Sequence, residues 1–411
     1  MLTPVLASLT ADIAATAALP LTSAHTLPQA AYTNEAFFKL EEEKLFRAGW
    51  LCVAHISELP NPGDYLALEL LGEPLAITRA EDGAIHTLSR VCPHRAMDIL
   101  PGSTGFPRKG HAPNLLCPYH FWSFEMDGRL RGCPHMQEAK DFTKAEWPLT
   151  AVRSDVWNGF VFVNFDGAAM ELAKCYRDLD AIVAPWNFAQ MSIAITMDWD
   201  CPFNWKVMVE NWMESYHHIG AHSTTLNRIM PGQNTWIEPE HPHYVHAHLP
   251  YTAKLQAEVE EAAARGEAMP GFLPISGLSG GQSKEWGLFT GYPFFMFLTM
   301  PDRLLWYRLL PISAERCKLQ TITLVSPETM ASPELAKMIE EESVLLRDFH
   351  LEDMEVNEAV QTGLRSRYAV RGRLSHLEEP VWLIQRYLAA RLAGAYPEKA
   401  SRKPYYGLRT V

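Results

Sequence analysis

The sequence predicts an α+β protein in which a small all-β domain precedes a larger domain with an antiparallel sheet covered by helices. The chain has 411 residues, too many for one ordinary domain. Short apolar runs between turn signals fill residues 45–165, and helical periods alternate with apolar runs over 166–411. We therefore expect an N-terminal helical segment over 1–44 packed on the larger domain, a β domain over 45–165 and the larger domain over 166–411.

Composition disfavours several classes of protein. Acidic residues outnumber basic ones by 48 to 36, so a nucleic-acid partner is not expected. Seven Cys are few, and odd in number, for a secreted disulfide framework, which favours a reducing cytoplasm. No apolar run is long enough to predict a membrane span. Residues 1–18 lack a basic segment and contain Asp12, so we expect a mobile or helical leader rather than a signal peptide.

Local patterns place the elements in order. Residues 32–48 carry apolar side chains near helical spacing and predict one amphipathic helix. The β domain has hairpin signals at Asp82-Gly83 and Asp127-Gly128. Residues 286–310 are apolar and aromatic with turn signals, which predicts successive strands. Helices are predicted over residues 203–223, 253–268, 333–363 and 379–393.

Two short Cys/His pairs form the first candidate metal site. Cys92 and His94 are followed after 22 residues by Cys117 and His120. Two Cys and two His suit either zinc or a Rieske-type [2Fe–2S] cluster, in which both Cys hold one iron and both His the other. Zinc sites usually pair two Cys and then two His, so the cluster is favoured. The Cys-Pro-His sequence of residues 92–94 recurs at residues 133–135, but no second Cys/His pair accompanies it. We expect a loop without metal there.

The sequence around these pairs resembles the Rieske loops of the ring-hydroxylating oxygenase α subunits. The similar segments are CPHR at 92–95 and CPYHFWS at 117–123. WNGFVFVN at 157–164 is similar to the strand that closes that domain. The spacer of 22 is longer than in the family, and we place the excess in a loop over Gly102–Pro113. The resemblance extends over roughly residues 35 to 380.

His217 and His222 form the core of a second candidate site. Two His and one carboxylate on one face of an iron ion are the ligands of non-haem Fe(II) oxygenases. Five residues turn an ideal helix by about 500°, so a regular helix cannot aim both rings at one ion. We therefore expect the helix to widen or break between them, with Gly220 permitting the change. Taken alone, the pair also fits surface His on a core helix.

The segment over 204–223 resembles the family's signature around its iron ligands. That resemblance implies that Glu214 links a Rieske His of one subunit to an iron-ligand His of its neighbour, here His120 to His217, in a homotrimer. A Glu at this position, where many members have Asp, is similar to the branch that acts on quaternary ammonium compounds such as carnitine and glycine betaine. The alternative for Glu214 is a solvated helix residue.

The third iron ligand is expected to be a carboxylate on the helix over 333–363. The candidates are Asp348, Glu352, Asp353 and Glu355. The stretch from Glu352 resembles the family's late acidic run, whose Asp is the ligand, so Asp353 is chosen and Asp348 is second. Glu352 and Glu355 better fit a charged, solvated face.

Aromatic residues and a histidine tract give weaker signals. An aromatic pocket would suit a quaternary ammonium group through cation–π attraction, or a flat aromatic substrate through stacking. The residues predicted to line it are Phe289, Tyr292, Phe295, Phe297 and Trp306. Four His lie between positions 241 and 248; we expect a strand or loop near the active-site mouth there rather than a further metal site.

The resemblance implies the terminal oxygenase of a multicomponent system. Its cofactors would be a [2Fe–2S] cluster and Fe(II), and its substrates a small molecule and O₂. No flavin or nicotinamide signature is visible, so the electrons would come from a separate NAD(P)H-dependent reductase, with or without a ferredoxin. We expect monooxygenation, by hydroxylation or oxidative dealkylation. The alternatives are an aromatic-ring cis-dihydroxylating dioxygenase and an electron-transfer protein with an inactive second domain.

Overall fold

The computed structural model describes residues 2–100, 108–265 and 270–395. The chain divides into a smaller unit, Trp50–Ala173, and a larger unit, Met1–Gly49 with Lys174–Val411. These bounds differ by a few residues from the domain limits suggested by the sequence, which stay a prediction. In the part of the chain that is described, no helix has the length and apolarity to cross a bilayer.

The smaller unit consists of short strands in three sheets. The strands are β1 Leu51–His55, β2 Asp64–Leu70, β3 Glu73–Arg79, β4 Ile85–Ser89, β5 Arg108–His111, β6 Leu115–Leu116, β7 Ser123–Phe124, β8 Leu130–Gly132, β9 Arg153–Trp157 and β10 Phe160–Asn164. The sheets have the orders β1-β10-β9, β4-β3-β2-β5 and β6-β7-β8, and neighbouring strands are antiparallel. The all-β prediction for this region is confirmed.

Both hairpin signals fall where they were predicted. Gly83, between β3 and β4, has φ of +84°, and Gly128, between β7 and β8, has φ of +89°. Glycine adopts this left-handed conformation without the steric cost that a Cβ would impose. One expectation is wrong in part: Gly102–Pro113 is not loop throughout, because β5 pairs with β2 within it, while 102–107 lie outside the described residues.

The larger unit is built on one seven-stranded antiparallel sheet of order β11-β17-β16-β15-β14-β13-β12. Its strands are β11 Ser192–Cys201, β12 Trp236–Ile237, β13 Tyr244–Pro250, β14 Glu285–Gly291, β15 Phe295–Thr299, β16 Leu304–Ser313 and β17 Arg316–Val325. The successive strands predicted over 286–310 are β14 to β16. Nearly every residue of these three is buried, so the sheet is covered on both faces.

Ten α-helices among the described residues accompany the sheet. They are α1 Pro4–Ala17, α2 Ala30–Thr33, α3 Glu35–Glu41, α4 Leu172–Cys175, α5 Arg177–Val183, α6 Trp205–Met213, α7 Ala253–Arg265, α8 Pro327–Met330, α9 Leu335–Leu364 and α10 Glu379–Leu392. The predictions for α9 and α10 hold to within a few residues, and that for α7 holds up to Arg265, beyond which residues 266–268 lie outside the described residues. The single helix predicted over 32–48 is wrong, because Asn34 is extended and its side chain accepts a hydrogen bond from the Phe37 N–H, which starts a new helix.

A buried ion pair fixes the start of α6 against α3. The ammonium group of Lys206 lies 2.7 Å from the Glu41 carboxylate, and both side chains are fully buried. Trp205 Nε1 donates to the other Glu41 oxygen at 3.2 Å. Burial raises the pKa of Glu41 and lowers that of Lys206, and the attraction between the two charges offsets both effects in part. The charged form of each buried side chain is therefore stabilised by the other.

We predict that Glu41→Gln destabilises the larger unit by about 3–5 kcal/mol, because it removes the charged hydrogen-bond partner of the buried Lys206 ammonium. The matched control is Glu261→Gln, which removes the partner of Arg265 on exposed α7 and is expected to cost under about 0.5 kcal/mol. Urea unfolding followed by Trp fluorescence measures both changes. Equal unfolding midpoints for the two variants would contradict the assigned role of the pair.

Candidate metal centres and the adjoining cavity

The loop that carries Cys92 and His94 is closed by two backbone hydrogen bonds. The Cys92 N–H donates to the Met97 carbonyl at 2.9 Å, and the Ala96 N–H donates back to the Cys92 carbonyl at 2.9 Å. Ala96 has φ of +54°. Four residues after the Cys the chain is thus in the left-handed region, which turns it back sharply and presents the Cys and His side chains on one side.

The loop that carries Cys117 and His120 repeats the same pattern. The Cys117 N–H donates to the Trp122 carbonyl at 2.8 Å, and the Phe121 N–H donates to the Cys117 carbonyl at 3.1 Å. Phe121, again four residues after the Cys, has φ of +60°. The two loops therefore share one conformation although their Cys–His spacings differ by one residue.

The four side chains lie together in the smaller unit. Cys92 and Cys117 are buried with their thiols in hydrogen-bonding contact, and burial raises the pKa of Cys92. The His94 and His120 rings are 4.6 Å apart between centroids. His120 Nδ1 is buried and has no hydrogen-bond partner among the residues that the structure describes. A buried ring nitrogen without a partner is unfavourable unless it binds something, so this atom fits an iron ligand.

The geometry favours a two-metal cluster over a single zinc ion at these residues. A zinc ion needs its donor atoms around one point. Although all four side chains are described, no three of their donor atoms are close enough to one another to share one ion. A sulfur pair and an imidazole pair suit the two irons of a [2Fe–2S] cluster. Cys133, by contrast, packs against the hydrophobic cluster around Trp122.

The second site forms where α6 ends, and here the predicted helix over 203–223 is wrong. The α-helix stops at Met213, and Glu214 is extended, with φ of −130° and ψ of 154°. A 3₁₀ turn over Tyr216–Ile219 follows. The α-helix breaks ahead of His217, and the 3₁₀ turn also ends at Ile219, between the two His, as expected; Gly220, however, has an ordinary φ of −102°. The freedom of glycine is therefore not what allows both rings to meet.

Three donor groups converge in this place. Asp353 Oδ1, from α9, lies 3.0 Å from His222 Nε2 and 3.5 Å from His217 Nε2. All three ligand atoms lie within 4.8 Å of one another. Asp348 and Glu355 are exposed on the same helix and take no part in the group. The donor set of two imidazoles and one carboxylate fits a mononuclear Fe(II) ion.

Each of the two imidazoles has a second carboxylate on its other nitrogen. Glu214 accepts from His217 Nδ1 at 2.8 Å and from the His217 N–H at 3.1 Å. Glu352 accepts from His222 Nδ1 at 2.6 Å and from the Thr225 hydroxyl at 2.7 Å. Carboxylates in this position fix the tautomer and ring orientation of a metal-binding His. Glu352 is therefore not on a solvated face, and the sequence prediction for it is wrong.

Electrostatics keeps the Asp353 carboxylate in the ionised form that binds a cation. Burial alone would raise the pKa of Asp353, but the hydrogen bond and charge of His222 hold it below its usual value. His218, next to His217, does not join the group: its Nδ1 donates to the Met230 carbonyl at 2.8 Å. Burial lowers the pKa of His218 to about 4, so this ring is neutral and anchors the 3₁₀ turn.

A cavity lies against the three donors. Its walls come from α6, α9 and the near face of the sheet, and most are apolar or aromatic. The lining residues include Met208, Asn211, Trp212, Leu249, Trp286, Leu288, Leu298, Tyr307 and Phe349. Trp212 and Tyr307 have ring centroids 4.3 Å apart. The cavity thus presents aromatic surfaces to anything that approaches the donor group.

The five aromatic residues predicted to line the pocket lie elsewhere. Side chains alternate between the two faces of a strand, and on β14 it is Trp286 and Leu288 that face the cavity. Phe289 points to the opposite face, and so do Phe297 and Trp306, its successive partners across β15 and β16. Phe295 follows the same alternation on β15. Tyr292 follows β14 and stacks on Tyr387 of α10, with centroids 4.4 Å apart.

Comparison with known proteins agrees with both halves of the chain. Residues 49–144 match the Rieske [2Fe–2S] domain, and residues 188–394 match the catalytic domain of the ring-hydroxylating alpha subunit. A carnitine monooxygenase oxygenase subunit from Acinetobacter baumannii is 36% identical over 209 residues, 48% of this chain and 53% of the relative. A glycine betaine monooxygenase oxygenase subunit from Chromohalobacter salexigens is 30% identical over 237 residues, 58% of this chain and 51% of the relative. The chain thus spans about half the length of the curated relatives it matches.

Solved structures share the fold over nearly the whole chain. The quaternary ammonium Rieske monooxygenase CntA in complex with L-carnitine superposes with a TM-score of 0.71 at 26% identity, covering 92% of this chain and 98% of that one. Naphthalene 1,2-dioxygenase from Rhodococcus sp. gives 0.76 at 18% identity, covering 97% and 100%, which shows the fold alone. The chain belongs to the ring-hydroxylating alpha subunit family of Rieske non-haem iron oxygenases, whose members carry a [2Fe–2S] cluster and a mononuclear iron.

Proposed function

We propose that the protein is the terminal oxygenase of a multicomponent monooxygenase, which hydroxylates or oxidatively dealkylates a small quaternary ammonium compound. The observation that carries this proposal is the convergence of His217, His222 and Asp353 beside an aromatic cavity. The relatives named as carnitine and glycine betaine monooxygenase subunits support the substrate class.

The residues fit both cofactors of the family. Cys92, His94, Cys117 and His120 would hold the cluster, and His217, His222 and Asp353 the mononuclear iron. When bound, these two groups supply one-electron transfer and the reduction of O₂. Glu214 and Glu352 accept hydrogen bonds from Nδ1 of the two iron-binding rings, which leaves Nε2 of each ring as the atom that would bind the iron.

The cavity suits a permanently charged but non-donating ligand. A quaternary ammonium group has no N–H to offer, so its recognition depends on aromatic faces and nearby negative charge. Trp212, Trp286 and Tyr307 supply the faces, and the carboxylate of Glu214 lies in the same wall. The surrounding Met208, Leu249 and Leu288 exclude water and strengthen these interactions.

Electron delivery is proposed to follow the family arrangement. A separate NAD(P)H-dependent reductase, with or without a ferredoxin, would feed the cluster of a cytoplasmic homotrimer. Glu214 would join His217 to His120 of a neighbouring subunit. Its carboxylate accepts two hydrogen bonds from His217 and, as an ionised group with about four lone-pair positions, can accept more.

With a surrogate reductase, we predict that carnitine, glycine betaine or another quaternary ammonium compound stimulates O₂ uptake and gives a hydroxylated or N-dealkylated product. One oxygen atom from ¹⁸O₂ is expected in the hydroxylated product, or, after N-dealkylation, in the carbonyl compound that is released with the amine, provided that this compound is trapped before it exchanges with water. The matched control replaces the charged nitrogen by a neutral tert-butyl carbon, which should lower the apparent affinity at least tenfold. A cis-diol formed from an aromatic hydrocarbon would favour the dioxygenase alternative, and no turnover with both metal sites filled would favour an electron-transfer role.

Substitution of three neighbouring acidic residues of α9 is expected to give three different results. Asp353→Asn should lower the iron content from about three to about two per chain, with the cluster's visible spectrum intact. Glu352→Gln should retain the iron but weaken its binding by about 10–100-fold, because His222 loses its orienting carboxylate. Glu355→Gln, at an exposed position, is the matched control and should change neither. Loss of iron in the control would overturn the assignment.

Glu214→Gln tests the proposed bridge. We expect both metal sites to stay filled while oxidation of the reduced cluster, followed by stopped-flow absorbance in a single turnover, slows by at least tenfold. Glu352→Gln, which changes the equivalent carboxylate on the other ring, is the control and should slow this step less once iron is saturating. Unchanged cluster oxidation in Glu214→Gln would refute the bridging role.

A further inference from the structure

The face of the large sheet turned away from the iron-binding group carries a second cluster of donor residues. It consists of Glu238, His246 and His248, whose ligand atoms all lie within 4.8 Å of one another. His246 lies on the same face as Phe289, its partner on β14, whereas Leu288 next to Phe289 lines the first cavity. The two donor clusters are therefore on opposite sides of the sheet and are independent of each other.

Strand pairing holds the three residues in register. His246 and His248 are two apart on β13 and so point to one face. Trp236 of β12 pairs with His248, and the Glu238 N–H donates to the His246 carbonyl at 2.9 Å. Glu238 is thus opposite His246, on the same face as both rings. The indole of Trp236 stacks on His248 at 3.6 Å between centroids and an angle of 4°, which fixes that imidazole in its plane.

The ring nitrogens of His248 are divided between two carboxylates. Glu285 lies 2.8 Å from His248 Nδ1, within hydrogen-bonding distance. His248 Nε2 faces Glu238 Oε1 at 3.5 Å, is itself buried, and has no hydrogen-bond partner. A carboxylate on one nitrogen with the other nitrogen open is the arrangement found around metal-binding imidazoles. It repeats the pairing of Glu352 with His222 at the first site.

His246 provides the second, independent sign of a ligand. This side chain is only 4% exposed, and its Nδ1 is buried without a hydrogen-bond partner. Its ring stacks on Phe289 at 4.1 Å, so its orientation is fixed by packing. A buried, fixed and unpaired ring nitrogen is costly unless something binds it.

There is also room for an ion and for a water molecule beside it. A small cavity is bordered by both imidazoles and by Glu285, Gly287 and Thr299. Gly287 is the partner of His248 on β14, and a Cβ at that position would approach Thr299 Oγ1 to 2.5 Å. The glycine therefore keeps the space next to His248 open, as an exogenous ligand on a three-residue site requires.

We propose that Glu238, His246 and His248 form a second site for a divalent cation of the zinc type. Two imidazoles and one carboxylate, with a water from the cavity, complete the four positions that Zn²⁺ prefers. The ion would join the end of β12 to β13 and so stabilise the edge of the sheet. This inference does not depend on the proposed monooxygenase activity.

The test uses the holoenzyme with its iron sites filled, equilibrated against ⁶⁵Zn²⁺ by dialysis. We expect one additional equivalent of zinc per chain, bound at least tenfold more weakly in Glu238→Gln and not at all in His248→Gln. His241→Gln, a His of the same tract outside the three-residue cluster, is the matched control and should bind zinc as the unchanged protein does. Crystals soaked in Zn²⁺ should give one anomalous peak between the three side chains.

Three outcomes would overturn the site: no additional equivalent, saturation only above about 1 mM zinc as for incidental surface binding, or binding that persists in His248→Gln. Glu238 is half-exposed, so Glu238→Gln keeps the test decisive if a His variant fails to fold. Zinc is also expected to raise the thermal midpoint of the control variant and not that of His248→Gln, because only a native-state site gives that shift.

Discussion

Two imidazoles can bind one metal ion through their Nε2 atoms only if their protons lie on Nδ1. This requirement determines the structure of the larger unit around His217 and His222. Glu214 accepts a hydrogen bond from Nδ1 of His217, and Glu352 accepts one from Nδ1 of His222. Both Nε2 atoms then face Asp353. The constraint explains why α6 must stop at Met213: in a continuing helix, Glu214 and the two rings could not adopt these positions.

The sheet separates two chemically different regions by simple alternation. On β14, even-numbered Trp286 and Leu288 face the cavity at the donor group, while Gly287 and Phe289 face the opposite cavity. The first region has aromatic faces and a nearby carboxylate, which suits a quaternary ammonium substrate. The second has two fixed imidazoles and two carboxylates, which suits a metal ion. One strand thus supplies side chains to both sites without any irregularity.

The sequence predicts the metal-binding residue types well and their supporting geometry poorly. The sequence identifies the residues that would bind the cluster because a cluster requires Cys and His at short spacing; they are Cys92, His94, Cys117 and His120. The two loops that carry them have the same conformation. The sequence does not identify Glu352 in this way, since only the packing of α9 against the turn after α6 brings Glu352 to His222. The position of the helix break also depends on this tertiary contact and not on Gly220.

The sequence does not distinguish the aromatic residues that line the cavity from those on the opposite face of the sheet. β14 to β16 are buried on both faces, so their sequences are continuously apolar and carry no polar alternation to mark an inner side. Phe289, Phe297 and Trp306 therefore could not be distinguished from Trp286, Leu298 and Tyr307 without the pairing register. Shifting one residue along any of these strands exchanges the two faces.

The most direct test of the central claim is an iron-edge anomalous difference map from crystals of the iron-loaded protein. We expect a close pair of iron peaks between the Cys92/Cys117 sulfurs and the His94/His120 rings. We also expect a single separate peak bounded by His217, His222 and Asp353. A map with the paired peaks but no iron at those three residues, or with one metal at the Cys/His loops, would contradict it.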